Sequence, residues 1–311
     1  MRVLLVGGSG FIGKSFLDAF KKNIIKKFNI KKIIIISRNI HFINKKFYND
    51  KKIEFKKIDI SKAKSLPKSD LVFYLSESTI TNDYKMINLT KNHKKAIDNF
   101  CKIIKNQKKT KVIYCSSGSV YKTSHINLSE NNQLITNHRK SNYKNTYAQL
   151  KLYSEKKIRD LGSHGIKTSI ARCFTFIGPS LPLDKHYAIG NFINDGFNKK
   201  KIFLKTRTKV IRSYMYADDL VIWLIKIVKN ASLSCPIYNV GSDKPIDLLK
   251  LANIIAKIFK KKVQIGNMKN TITDRYIPDT SKVKNKLKLK LNYNLKQAII
   301  LTINSINEKT Y

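Results

Sequence analysis

The sequence is poor in cysteine and has no long apolar run. Four cysteines stand far apart among 311 residues without a C-x-x-C pair, and six histidines are scattered. This pattern argues against a disulfide framework and a zinc site, so we expect no metal. No apolar stretch approaches the ~20 residues that span a membrane. The first residues run into glycines without a signal-peptide core, so we expect a cytoplasmic protein with no membrane partner.

Acidic residues and arginine are also scarce. Asp and Glu number 20 against 62 Lys and Arg, a formal net charge of +42, and only eight of the basic residues are arginine. A nucleic-acid surface more often clusters arginines, whose forked side chain contacts phosphates and bases. Lysines spread along a whole chain are more typical of a solvated surface. We therefore do not expect a nucleic-acid partner, and a basic nucleic-acid-binding protein is kept only as an alternative.

Short apolar runs alternate with helical patterns in the first half of the chain. The pattern predicts strands at Arg2–Val6, 33–36, 53–58, 71–75, 111–115 and 168–173, and helices at 11–22, 86–105 and 147–161. Short apolar strands separated by helices predict a parallel sheet with helices on both faces. Further on we expect helices at 218–228 and 248–259, short strands at 202–204 and 237–240, and a lysine-rich tail.

A glycine-rich loop follows the first predicted strand. Residues 7–13, GGSGFIG, satisfy both G-x-G-x-x-G from Gly8 and G-x-x-G-x-x-G from Gly7. Glycine lets the backbone approach a pyrophosphate, and the helix that follows offers unpaired N–H groups. The pattern predicts a dinucleotide site. The residues expected to contact it are Gly7, Gly10, Phe11, Ile12 and Gly13.

The fold class follows from the loop and the alternation together. We predict an α/β protein with a Rossmann-type doubly wound parallel sheet in residues 1–175. Residues 176–311 are expected to form mainly a smaller C-terminal substrate lobe, with some strands returning to the first domain.

The end of the second strand indicates which dinucleotide binds. NAD-binding units usually place an acidic residue there to hold the ribose hydroxyls. This chain has Ser37 and Arg38 and no acid until Asp50. An arginine beside the ribose suits a 2′-phosphate, which favours NADP. The alternative is NAD, with its ribose held by Ser37.

A Y-x-x-x-K pair is the strongest catalytic candidate. Tyr147 and Lys151 are four residues apart, so they share one face of a helix. An ammonium there stabilises tyrosinate and lowers the tyrosine pKa from about 10. The preceding strand runs into Ser117, whose hydroxyl can bind the substrate oxygen that Tyr147 protonates.

Lysine-rich chains produce this pattern by chance. Two other pairs match it, Tyr48 with Lys52 and Tyr153 with Lys157. Tyr48 lies in an early polar stretch, and Tyr153 is expected to be a buried packing residue on the same helix as Tyr147. Tyr147 is preferred because it follows a strand whose carboxyl end is where such sheets place chemistry.

These motifs together resemble the extended short-chain dehydrogenase/reductases, the NAD-dependent epimerase/dehydratase family that modifies nucleotide sugars. The motifs in the family's order are the glycine loop, Asp59-Ile60, SSGSVY at 116–121, Tyr147/Lys151, Gly178-Pro179, RSYMYADD at 212–219 and NVGS at 239–242. The resemblance implies that Asp59 and Ile60 flank the adenine. It also implies that Ser117 is the active-site hydroxyl, that Tyr147 is the acid/base, and that Lys151 additionally holds the nicotinamide ribose.

The same resemblance implies a substrate. Arg212 and Arg275 match basic contacts to a substrate diphosphate, and Asn191 matches a stretch lining the nucleotide-sugar pocket. The implied partner is a nucleotide-diphosphate sugar in surface-polysaccharide synthesis, and the implied assembly is a homodimer.

The reaction implied is hydride transfer at C4 of the sugar. Dehydratases of the family carry Asp-Glu after the active-site hydroxyl, and this chain has Gly118-Ser119 instead. Thr175 stands where epimerases often have asparagine. We therefore favour NADPH-dependent reduction of a 4-keto-6-deoxy-sugar nucleotide. The alternatives are a nucleotide-sugar 4-epimerase, a 4,6-dehydratase, or a non-catalytic dinucleotide-binding scaffold.

Overall fold

A seven-stranded sheet is the central element of the fold. The computed structural model describes residues 1–41, 43–44, 47–76, 86–135, 143–183, 187–205, 208–266 and 273–310. The strands of the sheet are β1 (Arg2–Val6), β2 (Lys32–Ser37), β3 (Ile53–Lys57), β4 (Leu71–Tyr74), β5 (Lys111–Ser117), β6 (Lys167–Cys173) and β11 (Ile237–Val240). Their spatial order is β11-β6-β5-β4-β1-β2-β3, and the pairs from β3 to β6 are parallel. This is the Rossmann order extended by one strand, and it confirms the predicted fold class.

Helices cover both faces of this sheet, which explains the unbroken apolar runs of its inner strands β1, β2 and β4. The helices of the first half are α1 (Phe11–Lys21), α2 (Met86–Ile104) and α3 (Tyr143–Asp160). On one face, Phe16 of α1 packs edge-on against Phe73, with ring centroids 5.1 Å apart. On the other face, Tyr74 meets Phe100 of α2 at 4.7 Å. Phe73 and Tyr74, adjacent in β4, thus contact helices on opposite faces of the sheet, because side chains alternate along a strand.

The chain divides into two compact units. The first contains Met1–Lys122, Glu130–Cys173 and Val221–Asn239, and the second contains Thr123–Ser129, Phe174–Leu220 and Val240–Tyr311. The remaining strands are β7 (Phe176–Ile177), β8 (Lys201–Leu204), β9 (Lys209–Arg212), β10 (Met215–Tyr216), β12 (Ile246–Asp247), β13 (Lys262–Ile265) and β14 (Thr273–Tyr276). They form a three-stranded sheet, β12-β9-β14, and the pairs β10-β7 and β13-β8. The remaining helices are α4 (Ala188–Asn198), α5 (Ala217–Lys229), α6 (Leu248–Ile258), α7 (Ser281–Leu287) and α8 (Leu295–Thr310).

The lysine-rich C-terminal segment differs from the expected tail, because it forms α7 and α8. Val283 of α7 is buried, and so are Ala298, Ile299 and Ile303 of α8, whose spacing gives α8 one apolar face. The high lysine content of the segment conceals this face in the sequence. In the described part of the chain, no helix is long and apolar enough to cross a membrane.

Candidate active site

The glycine loop between β1 and α1 is tightly built. Gly7 has φ +81°, and a Cβ there would lie 2.4 Å from Cα of Ser76. A Cβ on Gly13 would lie 2.1 Å from the carbonyl oxygen of Gly8. A side chain on Gly7 would push the loop away from the end of β4, and one on Gly13 would push α1 away from the loop, which is why both positions require glycine.

The start of α1 faces open space. Gly10 is the N-cap of the helix, and no side chain caps it. A Cβ built on Gly10 would meet no atom within 4 Å. The first N–H groups of a helix lack intrahelical partners, and the helix dipole favours an anion beside them. Phe11, Ile12 and Gly13 form this first turn. The glycine loop and the first turn of α1 together make a phosphate cradle that fits a pyrophosphate.

The end of β2 is tied to the loop. The hydroxyls of Ser9 and Ser37 lie 2.8 Å apart. At the end of β3, Asp59 accepts hydrogen bonds from Ser61, from its backbone N–H at 2.9 Å and from its hydroxyl at 2.8 Å. Burial alone would raise the pKa of Asp59, but these bonds and the charge of Arg38 outweigh it and hold that pKa below its usual value. Arg38 and Asp59 are therefore close enough to interact at the end of the sheet where the adenosine is expected.

Ile60, the other predicted adenine neighbour, has a mainly structural environment. Its side chain is buried, and its carbonyl oxygen accepts a hydrogen bond from Nδ2 of Asn99 at 2.8 Å.

Lys151 is buried beneath Tyr147 on α3. Its side chain is only 2% exposed, and Nζ donates to the carbonyl oxygen of Cys115, near the carboxyl end of β5, at 2.8 Å. Nζ also lies 5.6 Å from the ring centroid of Tyr147 and 5.0 Å from that of Tyr114. Burial lowers the pKa of Lys151 to about 7. The ammonium is thus placed beside the phenol, as the Y-x-x-x-K spacing predicts.

Ser117 is the last residue of β5. Its hydroxyl oxygen accepts a hydrogen bond from the backbone N–H of Ser119 at 3.1 Å, which caps a short 3₁₀ turn at Gly118–Val120. The hydroxyl of Ser119 is buried and has no hydrogen-bond partner among the described residues. Ser117 therefore lies at the same end of β5 as the carbonyl that Lys151 contacts.

The two competing tyrosines have other environments. The Tyr153 hydroxyl donates to both carboxylate oxygens of Asp98, at 2.9 and 2.8 Å. Tyr153 is half-buried rather than fully buried, and it packs against the apolar core as expected. Tyr48 is 42% exposed and stacks on Phe55.

A buried polar network beside the pair was not anticipated from the sequence. Glu155 accepts hydrogen bonds from the Ser116 hydroxyl at 2.6 Å and from Arg172 through Nε at 3.0 Å and Nη2 at 2.8 Å. Nη1 of Arg172 donates to the Tyr121 hydroxyl at 3.0 Å, and that hydroxyl donates to Oδ1 of Asn239 at 2.8 Å. One signal was available, because Glu155 follows Lys151 by four residues and so continues the helix face that begins at Tyr147.

In the second unit, Asn191 lines a cavity of about 380 Å³ together with Phe192 of α4, Phe203 of β8 and Lys205, which follows β8. This volume lies in the range of small-ligand pockets.

The two predicted diphosphate arginines lie on neighbouring strands. Arg212 pairs with Asp274 at 2.6 Å, and Nη2 of Arg275 donates to Oδ1 of Asn127 at 2.6 Å. The strand register pairs Arg212 with Tyr276 and Arg275 with Ile211. Because side chains alternate along a strand, the two arginines point to opposite faces of the three-stranded sheet. The structure therefore does not bring them together.

The sheet order, the glycine loop and the spacing of Tyr147 and Lys151 are together those of the short-chain dehydrogenase/reductase class. Residues 3–241 match the model of the NAD dependent epimerase/dehydratase family, and the chain belongs to that family. Its relatives by sequence include nucleotide-sugar dehydratases and decarboxylases.

Relatives by sequence are distant. The chain is 28% identical over 277 residues to a dTDP-D-glucose 4,6-dehydratase of Dictyostelium discoideum, over 83% of this chain but only 62% of that protein. It is 24% identical over 292 residues to UDP-glucuronic acid decarboxylase 6 of Arabidopsis thaliana, over 91% of this chain and 82% of that protein.

Solved structures share the fold. A dTDP-glucose 4,6-dehydratase from Streptomyces venezuelae, solved with NAD bound, superposes with a TM-score of 0.82, 18% identity and coverage of 99% and 97% of the two chains. The UDP-glucose 4-epimerase of Thermotoga maritima, solved with UDP-glucose, gives 0.80 at 16% identity over the whole of both chains.

Proposed function

We propose that the protein is an NAD(P)-dependent oxidoreductase acting at C4 of a nucleotide-diphosphate sugar, with 4-epimerisation as the outcome. This choice gives the likeness to a UDP-glucose 4-epimerase structure more weight than Thr175, the residue that favoured reduction in the sequence. The observation that carries this proposal is the buried Lys151 ammonium beside the ring of Tyr147, at the end of β5 that also carries Ser117. The phosphate cradle at the start of α1 supplies the second requirement, a place for a dinucleotide.

In this mechanism the chain moves one proton. A bound nicotinamide supplies hydride acceptance and return. Tyr147, ionised beside the Lys151 ammonium, takes the proton of the C4 hydroxyl and later gives it back. The Ser117 hydroxyl donates a hydrogen bond to the same sugar oxygen. Lys151 keeps the phenolate at an accessible pH through its charge.

Elimination of water from C5 and C6 would require an acid and a base after the active-site hydroxyl. Gly118 has no side chain, and the buried hydroxyl of Ser119 does not ionise near neutral pH. The residues at this turn support proton transfer at C4 alone. For this reason we place 4,6-dehydration below epimerisation, although a sequence relative carries that name.

The second unit supplies candidates for holding the substrate. We assign the cavity beside Asn191 to the nucleoside and Arg212 to the diphosphate, because the guanidinium is permanently charged and matches phosphate oxygens. Arg275 lies on the other face of the sheet. We therefore expect Arg212→Ala to raise the KM for the nucleotide sugar more than Arg275→Ala does. Equal increases for the two variants would count against this assignment.

A second candidate function is NADPH-dependent reduction of a 4-keto-6-deoxy-sugar nucleotide. It is favoured by Arg38, which replaces the acid that holds the NAD ribose and interacts with Asp59. An arginine there suits the 2′-phosphate of NADP. Calorimetric titration with NADP and NAD tests the assignment: Arg38→Ala should weaken NADP binding at least tenfold and leave NAD binding within threefold. A parent protein that strongly prefers NAD would overturn it.

One experiment separates the reactions. The protein is incubated with UDP-, dTDP-, CDP- and GDP-sugars, including 4-keto forms, with each oxidised and reduced cofactor, and products are read by absorbance at 340 nm and by NMR. Epimerisation gives the C4 epimer with no net change in absorbance. Reduction consumes NADPH in step with product, and a 4-keto-6-deoxy product would contradict the proposal.

A further inference from the structure

The ion pair between Glu155 and Arg172 is buried almost completely, with each side chain 3% exposed. Nε and Nη2 of the guanidinium donate to the two carboxylate oxygens, and the Ser116 hydroxyl donates at 2.6 Å to Oε1, the oxygen that also accepts from Nε. A buried pair of this kind is weak evidence for stability, because desolvation offsets most of the attraction. Its position therefore calls for an explanation other than stability.

The pair adjoins both parts of the proposed active site. Glu155 lies four residues beyond Lys151, which lies four beyond Tyr147, so the three share one face of α3. Ser116, held by the carboxylate, directly precedes Ser117 at the end of β5. A single buried side chain thus contacts the strand end that carries Ser117 and continues the helix face that carries Tyr147 and Lys151.

We propose that Glu155 is a positioning residue: it fixes the Ser116–Ser117 strand end through the Ser116 hydroxyl, and its charge holds the Lys151 ammonium beside Tyr147. The catalytic consequence rests on the function proposed above. The effect on Tyr147 does not, because it can be measured without any sugar.

The groups around the ammonium determine the direction of the effect. On its own helix Lys151 faces Tyr147 and Glu155, and from β5 and β6 it faces the Tyr114 ring and the Cys173 thiol. Arg172 faces Glu155 from β6, and the Tyr121 hydroxyl faces Arg172. Burial lowers the Lys151 pKa, and the negative charge of Glu155 acts against that change. Removing the charge should make Lys151 lose its proton at a lower pH and leave Tyr147 harder to ionise.

The first test follows Tyr147 by NMR in protein labelled with ¹³C at the tyrosine ring carbon that bears the hydroxyl. Tyr147→Phe identifies the resonance. In Glu155→Gln the ionisation of Tyr147 should move to higher pH by about half a unit or more. The matched control is Lys157→Met, which removes the exposed ion pair of the same helix with Asp98 and should leave the midpoint in place. An unchanged midpoint in Glu155→Gln would overturn the electrostatic part of the proposal.

The second test separates positioning from stability. The double variant Glu155→Leu/Arg172→Met replaces the pair by apolar side chains, a change that buried pairs often tolerate. We expect a melting temperature close to that of the parent, a kcat at least tenfold lower and a KM for the nucleotide sugar within threefold. A stable double variant with parental kcat would show that the pair is merely structural.

If the double variant does not fold, the kinetic measurement is made on Ser116→Ala instead, because this variant removes only the hydrogen bond between Glu155 and the end of β5. It should lower kcat severalfold without moving the Tyr147 midpoint, and parental kcat would overturn the positioning role. If the parent turns over no nucleotide sugar, the proposed function fails while the NMR test still decides the effect of Glu155.

Discussion

Tyr147 is the residue on which the proposed chemistry depends most directly. Replacing it with phenylalanine removes the proton carrier and keeps the ring beside Lys151. We expect turnover to fall by about 10²–10⁴-fold, the range for a lost general acid/base, while the cofactor still binds. Tyr153→Phe on the same helix is the matched control and should retain near-parental turnover, because its hydroxyl contacts Asp98. Equal losses in the two variants would refute the assignment.

Lys151 links activity to stability. Its pKa is lowered by burial to about 7, whereas an unfolded lysine titrates near 10.4. Between these values the unfolded chain binds more protons than the folded one, so stability rises with pH across this window and is lost as pH falls towards 7. The buried charge therefore destabilises the fold at neutral pH.

Lys151→Met should accordingly stabilise the protein while abolishing turnover. The gain in the free energy of unfolding should be largest at and below pH 7, on the order of a few kcal/mol, and should shrink as pH approaches 10. Urea unfolding of both proteins between pH 6 and 10 measures it. Lys157→Met, which removes an exposed lysine, should show no such pH-dependent gain. A Lys151→Met protein less stable than the parent at pH 7 would contradict this account.

At the scale of elements, two glycines of the loop before α1 are expected to have different roles, Gly13 in stability and Gly10 in cofactor binding. A methyl group on Gly13 would collide with the backbone of Gly8, whereas one on Gly10 would enter open space. We expect Gly13→Ala to destabilise the protein by about 1–3 kcal/mol. Gly10→Ala should change stability by less than about 1 kcal/mol and weaken cofactor binding at least tenfold. Thermal melts and cofactor titration measure the two effects, and unchanged cofactor affinity in Gly10→Ala would show that the pyrophosphate lies elsewhere.

The elements that were predicted well from the sequence are those with one clear pattern of apolar residues. The run at Ile33–Ile36 is buried on both faces, and such strands are apolar without interruption. Strands β9 and β14 gave no comparable signal, because their four residues each are largely half-exposed. Helix α8 was missed because the lysines before it obscured its apolar face.

The site was predictable where spacing alone places side chains together. The positions of Tyr147 and Lys151 four residues apart were enough to expect the ring beside the ammonium. The pairing of Glu155 with Arg172 could not be predicted in the same way, because Arg172 lies on β6 and only the packing of α3 against the neighbouring strands β5 and β6 brings the two side chains together. The opposite directions of Arg212 and Arg275 depend on strand register, which the sequence of these short strands does not specify.

At the scale of the whole molecule, the excess of positive charge is the dominant property. The net charge is +42, and a field of this sign draws in anions of every kind, including nucleotide-diphosphate sugars and nucleic acids. Such attraction depends on lysines spread along the chain rather than on a shaped surface. It should therefore disappear with salt, unlike recognition by a built site.

Filter binding with a single-stranded RNA tests this interpretation. We expect measurable binding at 20 mM salt and an affinity about 10³-fold lower at 150 mM, as expected when about five phosphates are neutralised. Two RNAs of equal length and different sequence should behave alike, because lysine charge carries no base readout. Cofactor affinity, which depends on the loop and helix α1, should change far less over the same range. RNA binding that persists at 150 mM salt and distinguishes the two sequences would contradict this view and identify a nucleic acid as a partner.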